Sequence, residues 1–156
     1  MAFDPAAFLA RAGLGRTILS LKKDDVAYAQ GDPADTIFYV QNGRLKVTVA
    51  SPDGKEATIG LVDAGEFLGE DCMVSAHPLR LARATAMTEC ALLRINKAEM
   101  VRVLHQEHAR WEVFVAFLLA RNARFRADLV DRLFNSSEKR LGACLSKGRK
   151  VVREGF

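Results

Sequence analysis

The stretch "TIFYVQNGRLKVTVASPDGKEATIGLV", residues 36–62, decides the fold class. Three runs rich in β-branched and aromatic residues, TIFYV, RLKVTVA and EATIGLV, are separated by the turn-forming segments QNG and SPDGK. Within RLKVTVA the alternation of apolar and polar residues places Leu45 and Val47 on one face and Thr48 on the other. The stretch therefore predicts three short strands joined by tight turns.

Similar runs flank this stretch on both sides. RTILSL precedes it, while RLARATA and ECALLRI follow it after an interruption that begins at GEFLGE. Turn signals every 8 to 12 residues or so favour an antiparallel arrangement over alternating strands and helices. We predict an α+β fold, an antiparallel β-roll of the jelly-roll type with a short N-terminal helix and a long C-terminal dimerisation helix.

Helix signals stand at both ends of the predicted roll. Asp4 and Pro5 have the residue types preferred at an N-cap and at the first helical position. The segment NKAEMVRVLHQE opens with Asn96 as a cap and has Glu99 three residues later, a variant of the capping box. We therefore expect a β-roll with flanking short helices over residues 1–107.

The long helix predicted over residues 108–136 carries a seam at alternating spacings of four and three. Its members are Trp111, Val115, Leu118, Asn122, Phe125 and Leu129. Such a seam is typical of a helix that packs along a partner helix, so it predicts a homodimer, with Asn122 fixing the register. An alternative stays open, in which this stripe packs on the roll of its own chain.

Composition excludes several classes of protein. The 156 residues are 49% apolar, which is ordinary for one globular domain with a sizeable core. No run approaches the roughly 18 apolar residues of a membrane-spanning helix, and the N-terminus lacks the pattern of a signal peptide. We expect a cytoplasmic protein with no membrane partner.

Metal and enzyme motifs are missing from the sequence. The cysteines and histidines form no spacing typical of a four-ligand metal site, and we predict no metal and no cofactor. There is no GxSxG, HExxH or P-loop pattern, so we predict no enzyme. The residues considered were Cys72, Cys90, Cys144, His77, His105 and His108.

The segment "GEFLGEDCMVSAHPLRLARA", residues 65–84, interrupts the strand pattern with a Gly69-Glu70 pair ahead of Arg80. An arginine offers a fork of donors that matches a phosphate, and a nearby carboxylate accepts from a ribose hydroxyl. Amides of a helical turn after Glu70 would add donors to the phosphate oxygens. From these residues alone, a structural Glu/Arg ion pair explains the pattern equally well.

The chain resembles the cyclic-nucleotide-binding domain of the Crp/Fnr transcription regulators from about Arg16 to Leu141. The resemblance is carried by QGDPADTIFYVQNGRLKV, GKEATIGLVDAGEFLGE and LVDRLFNSSEKRL, in that order. It implies a sensor domain that binds cAMP or cGMP and alters the geometry of a dimer.

The resemblance also implies a set of ligand-binding residues. Glu70 would bind the ribose 2′-hydroxyl and Arg80 the cyclic phosphate, while strand alternation puts Arg83 on the opposite face from Arg80. The ligand-binding residues implied are Gly69, Glu70, Asp71, Cys72, Arg80, Leu81 and Ala82.

The sequence departs from the family at three places. Leu81 stands where cAMP-responsive members carry Ser or Thr, and Phe125 and Arg126 align with a Thr-Ser pair that contacts adenine in the catabolite activator. Residues 137–156 are predicted to form a basic tail, a truncated remnant of the connection to an output domain. We therefore expect DNA binding only if an output domain is supplied. The alternatives are a ligand-independent dimerisation module or a regulator that responds to a different small ligand.

Overall fold

The computed structural model describes residues 4–12, 17–74, 76 and 78–154, and it describes the side chains of these residues except for residues 12 and 136–154. Three helices lie at the two ends of the chain: α1 (Pro5–Ala12), α2 (Lys97–Gln106) and α3 (His108–Glu154). The strands between them are β1 (Thr17–Leu21), β2 (Val26–Tyr28), β3 (Thr36–Asn42), β4 (Arg44–Ala50), β5 (Glu56–Asp63), β6 (Phe67–Leu68), β7 (Arg83–Ala86) and β8 (Cys90–Asn96).

The strands form two four-stranded antiparallel sheets. One has the order β1-β8-β3-β6 and the other the order β2-β7-β4-β5. This architecture, with a short N-terminal helix and a long C-terminal helix, confirms the predicted antiparallel β-roll. The quoted stretch 36–62 supplies β3, β4 and β5, which are spread over both sheets.

A glycine permits the turn between β3 and β4. Gly43 has φ +93°, in the left-handed region that favours glycine. A Cβ atom here would overlap the carbonyl oxygen of Glu89 and the sulfur of Cys90. The close approach of the turn to the start of β8 therefore requires glycine at this position.

Apolar side chains from both sheets form the core of the roll. Its buried members are Leu21, Phe38, Val40, Leu45, Val62, Leu68, Ala84, Ala86, Cys90 and Leu92. Thr48 of β4, which the alternation places on the face opposite Leu45, is also buried and only 3% exposed. The register between β4 and β5 shifts between Val47 and Thr48, and a simple alternation does not anticipate this irregularity.

Both predicted helix caps are present. The carboxylate of Asp4 accepts hydrogen bonds from the amides of Ala6 at 3.0 Å and Ala7 at 3.3 Å. The side chain of Asn96 accepts from the amide of Ala98 at 2.9 Å. These bonds satisfy amides at the N-termini of α1 and α2 that have no partner inside the helix.

The third helix is longer than predicted. It continues to Glu154, so the backbone of residues 137–154, which we expected to be a tail, is helical. This segment holds no proline, and its glycines alone do not end the helix.

The chain divides into two compact units, Met1–Phe114 and Val115–Phe156, whereas the sequence predicted a boundary after residue 107. Phe114 belongs to the first unit, where its buried ring packs edge-on against Phe67 with 5.6 Å between centroids. No helix in the described part of the chain is long and apolar enough to cross a membrane.

Candidate ligand-binding site

The predicted helical turn is present as a 3-10 turn over Glu70–Met73. Gly69 caps it with φ 79° and ψ 19°, the left-handed conformation in which L side chains are strained. Glu70 is half-buried, Asp71 is exposed and Cys72 is fully buried. The glycine thus turns the chain sharply between β6 and the turn.

The guanidinium of Arg80 reaches this turn from the other end of the segment. Its Nη1 donates to the carbonyl oxygen of Gly69 at 3.0 Å, and its Nη2 donates to the carbonyl oxygen of Thr36 at 2.5 Å. The carboxylate of Asp71 lies 3.7 Å from Nη1. Arg80 is only 3% exposed, so these contacts compensate a charge that is almost fully removed from water.

Two aromatic rings complete the surroundings of Arg80. Its Cζ atom lies 4.3 Å from the ring centroid of Tyr28 and 5.9 Å from that of Phe38. The two rings are stacked, with 6.1 Å between centroids and 20° between planes. Both distances to Cζ fall within the range of a cation–π interaction.

Backbone hydrogen bonds hold Arg80 in place. The amide of Gly31 donates to the carbonyl oxygen of Arg80 at 2.7 Å, and the amide of Arg80 donates to that of Asp32 at 2.8 Å. An isolated bridge between Pro33 and Leu79 extends this pairing. The arginine is therefore carried by a paired backbone segment and not by a free loop.

The guanidinium retains donors beyond those used by the two carbonyl groups. Arginine has five N–H donors. The Nε of Arg80 is buried and has no hydrogen-bond partner among the described residues. A buried, unsatisfied donor is costly, and an anionic ligand would supply the acceptor that it lacks.

The thiol of Cys72 lies at the same turn. Burial raises its pKa above the ordinary value, and the positive charge of Arg80 opposes part of this shift. The sulfur lies 3.9 Å from the carbonyl oxygen of Thr36, which also accepts from Arg80. The thiol is thus kept neutral and serves as a small packing group.

The predicted ligand-binding residues fall into two groups. Gly69, Asp71 and Cys72 form the first group and lie at the turn that Arg80 contacts. Leu81 and Ala82 form the second group and follow Arg80 in the chain; the side chain of Leu81 is 73% exposed, whereas that of Ala82 is only 9% exposed. Sequence reasoning missed Thr36, Tyr28 and Phe38, all of which contact the guanidinium. The only available signal was their aromatic or β-branched character, which also suits an ordinary strand.

Arg83 lies apart from these groups. It is exposed, but β7 begins only at Arg83 and bends at Leu81 and Ala82 precede it, so the predicted strand alternation does not relate its side chain to that of Arg80. It lines an open cavity of about 410 Å³ that contains none of the predicted ligand-binding residues. The cavity is lined by Gln30, Gly31, Thr48, Ala50, Glu56 and Arg83.

The predicted seam on α3 is largely accessible. In the unit Val115–Phe156, Phe125 is 40% and Leu129 56% exposed, Val115 and Leu118 are half-buried and Asn122 is exposed. In the first unit, Trp111 is 46% exposed. Among the described residues, no group of three His, Cys, Asp or Glu side chains could hold a metal ion.

Comparisons with known proteins give the following similarities. Residues 18–107 match the model of the cyclic nucleotide-binding domain. Lysophospholipase nte1 of Neosartorya fischeri is 35% identical over 114 residues, which are 73% of this chain and 7% of that enzyme. The cAMP-activated global transcriptional regulator Vfr of Pseudomonas aeruginosa is 28% identical over 88 residues, which are 54% of this chain and 41% of the regulator. The match thus covers less than half of the length of each of these relatives.

The same fold is found in a solved structure of a bacterial regulator. The c-di-GMP responsive global regulator CLP of Xanthomonas campestris superposes with a TM-score of 0.67 at 21% identity. The superposition covers 77% of this chain and 60% of that one. At this level of identity the similarity establishes the fold alone.

Proposed function

We propose that this chain, which belongs to the cyclic nucleotide-binding domain family, is the effector-sensing part of a Crp-type transcription regulator. The observation that carries the proposal is the burial of the Arg80 guanidinium against the Gly69 turn, which is Gly69 with the 3-10 turn Glu70–Met73. The Nε of Arg80 has no hydrogen-bond partner in the described part of the chain. A site of this kind suits a small anion with further polar groups.

In this proposal a cyclic nucleotide binds along the Gly69 turn. Its phosphate accepts from the donors of Arg80 that the carbonyl groups of Gly69 and Thr36 leave unused. The carboxylate of Glu70 accepts from the ribose 2′-hydroxyl. Asp71 supplies its backbone amide at the phosphate, Cys72 lies beside Asp71 in the turn, and Leu81 and Ala82 border the phosphate.

The nucleotide is proposed to be cAMP or cGMP. Of the relatives, Vfr is described as cAMP-activated and CLP as c-di-GMP responsive, so proteins of similar sequence or fold respond to different cyclic nucleotides. Leu81 has no hydroxyl that could donate to a phosphate oxygen. Compared with serine at this position, the binding free energy of the phosphate is less favourable by about 1.5–3 kcal/mol. We therefore include c-di-GMP among the ligands to be tested.

Binding is proposed to act through a dimer. Two copies pair along the α3 seam, and residues 108–136 serve as the dimerisation helix. The dimer has two states of different geometry. The nucleotide favours one of them because it makes different contacts in the two states. DNA is reached only through an output domain, if one is supplied. The free, buried cysteines Cys72 and Cys90 suit a reducing compartment and support a cytoplasmic location.

Calorimetry with cAMP, cGMP and c-di-GMP tests this function. The chain is titrated with each nucleotide up to millimolar concentration, with the Arg80→Ala variant as control. We expect saturable heat for at least one nucleotide with the natural chain and none with the variant. No heat for any of the three would refute the sensor.

A second candidate is a ligand-independent dimerisation module. It is favoured by the exposed Leu81 in place of a hydroxyl and by Phe125 where the catabolite activator contacts adenine. Such a module would pair with full-length relatives and show no heat with any nucleotide. No catalytic activity is proposed, since the match to nte1 spans 7% of that enzyme.

A further inference from the structure

We propose that Tyr28 is a positioning residue of the site, which holds the guanidinium of Arg80 through the face of its aromatic ring. The proposal rests on the nucleotide-binding function above and adds a residue that the sequence did not single out. It is carried by the distance of 4.3 Å between the Cζ of Arg80 and the ring centroid.

The ring is a major source of compensation for the buried charge. Arg80 is only 3% exposed. Among the described residues, the carboxylate within 4.0 Å of its guanidinium is that of Asp71, 3.7 Å from Nη1. This carboxylate is itself 43% exposed, so water screens its charge. The negative face of the Tyr28 ring is half-buried beside the cation. A cation–π interaction is strongest under such desolvation.

The backbone builds this contact into the fold. Tyr28 pairs with Ala84 across β2 and β7, after a register shift between Val26 and Tyr28. A few residues further on, Gly31 and Asp32 hydrogen-bond to both sides of the Arg80 backbone. The two side chains therefore rise from segments whose separation is fixed by hydrogen bonds.

A second ring fixes the orientation of the first. Phe38 of β3 stacks on Tyr28 with only 20° between the ring planes. Phe38 is 4% exposed and belongs to the core of the roll. The Tyr28 ring thus cannot turn away from Arg80 without disturbing the core.

The contact also preserves the donors that a phosphate needs. A cation–π interaction is made with the charge and uses none of the five N–H groups. An additional carboxylate in place of the ring would accept from these donors and compete with the ligand. An aromatic partner therefore holds the arginine without occupying its Nε, which is buried and has no hydrogen-bond partner among the described residues.

The first test compares Tyr28→Phe, which keeps the ring, with Tyr28→Leu, which removes it. We expect Tyr28→Phe to keep the nucleotide affinity within about threefold and Tyr28→Leu to lose about 5- to 30-fold. Tyr39→Leu is the matched control. The ring of Tyr39 packs against that of Phe67, with 5.4 Å between the ring centroids, and it is not among the rings that lie over Arg80. Equal losses for the two leucine variants would overturn the proposal.

Two further measurements separate positioning from a loss of folding. The NMR signal of the Arg80 Nε–H, recorded without nucleotide, should carry an upfield ring-current shift that Tyr28→Leu removes and Tyr28→Phe retains. Phenylalanines with one, two and three fluorine atoms at position 28 weaken the ring face stepwise, so the affinity should fall with each fluorine. Thermal unfolding, recorded in parallel, should show a cooperative transition above the temperature of the titration for every variant, so that the loss of affinity is not a loss of folding.

The outcomes distinguish this proposal from the function on which it rests. Two outcomes would overturn the role of Tyr28 alone. One is nucleotide binding by the natural chain together with an Arg80 Nε–H signal that Tyr28→Leu leaves unchanged. The other is an affinity that does not depend on the number of fluorine atoms at position 28. Failure of the natural chain to bind any of the three nucleotides would overturn the sensor function and, with it, the role of Tyr28.

Discussion

Gly69 and Arg80 determine each other's position. The carbonyl oxygen of Gly69 accepts a 3.0 Å hydrogen bond from Nη1 of Arg80, and a Cβ atom on Gly69 would overlap that same nitrogen and lie 3.2 Å from Cζ. The left-handed backbone of Gly69, with φ 79°, aims its carbonyl at the arginine. One residue therefore has to lack a side chain so that the other can be buried beside it.

Gly69→Ala should lower both the stability and the affinity for nucleotide. The left-handed backbone costs about 1–2 kcal/mol for any residue with a Cβ, and the overlap with Arg80 adds to this cost and displaces the guanidinium. Denaturant unfolding and nucleotide titration measure the two effects.

Gly54→Ala is the matched control for this substitution. Gly54 has φ 84°, and a Cβ atom there meets nothing within 4 Å. It should show the backbone cost alone, with normal affinity. A Gly69→Ala variant that behaved in the same way would contradict the steric link to Arg80.

Arg80 and Arg83 should differ in their importance for binding. Arg80→Ala removes the buried fork and should lower the affinity at least about a hundredfold, as expected for two charge-assisted hydrogen bonds. Arg83→Ala alters an exposed side chain at the start of β7 and should leave the affinity nearly unchanged. Titration of both variants with the same nucleotide decides, and equal losses would show that the ligand lies on the face of Arg83.

Leu81→Ser should strengthen binding. A hydroxyl at this position adds a donor to a charged phosphate oxygen, worth about 1.5–3 kcal/mol or roughly ten- to a hundredfold in affinity. Leu81 is 73% exposed, so its loss should cost little stability. Leu79→Ser, at a residue 58% exposed, is the control and should not raise the affinity. An unchanged affinity in Leu81→Ser would argue against a phosphate beside this residue.

Stability should decline in alkaline solution because of Cys72. Burial raises the pKa of its thiol, so the folded state holds the proton to higher pH than the unfolded state does. The resulting contribution to stability is present below the unfolded thiol pKa of about 8.5 and is lost as the pH rises through the folded value. Urea unfolding from pH 7 upward should give a flatter pH dependence for Cys72→Ala than for the natural chain, whereas parallel curves would exclude the thiol as the cause.

Local signals predicted most of the fold. Turn chemistry and alternation are encoded within a few neighbouring residues, and they were sufficient for six of the eight strands and for the caps at Asp4 and Asn96. The short strands β2 and β6 were not predicted, because two or three residues are too few to show an alternation. Alternation did not predict the burial of Thr48 or the register shift beside it, because a register shift depends on the partner strand and not on β4 itself. The end of α3 was also misplaced, since no proline marks it and glycine is a weak stop signal.

The candidate site was less predictable because its contacts join distant parts of the chain. The carbonyl groups that accept from Arg80 belong to residues 11 and 44 positions away in sequence. Backbone acceptors carry no sequence signature, and the rings of Tyr28 and Phe38 look like ordinary strand residues. The arginine could be identified by resemblance, but its partners required the three-dimensional structure.

Leu118→Asp, in the α3 seam, should convert the proposed dimer into monomers. A carboxylate in a helix–helix seam would be buried without a partner, which costs far more than the lost leucine contacts alone. Sedimentation at tens of micromolar protein gives the mass of the natural chain and of the variant. Leu119→Asp makes the same chemical change one residue further along, about 100° around the helix and outside the seam, at a leucine that is 62% exposed. If the Leu118→Asp variant stays dimeric, or if only Leu119→Asp dissociates the dimer, the interface does not follow the predicted seam. A natural chain that sediments as a monomer would refute the homodimer itself.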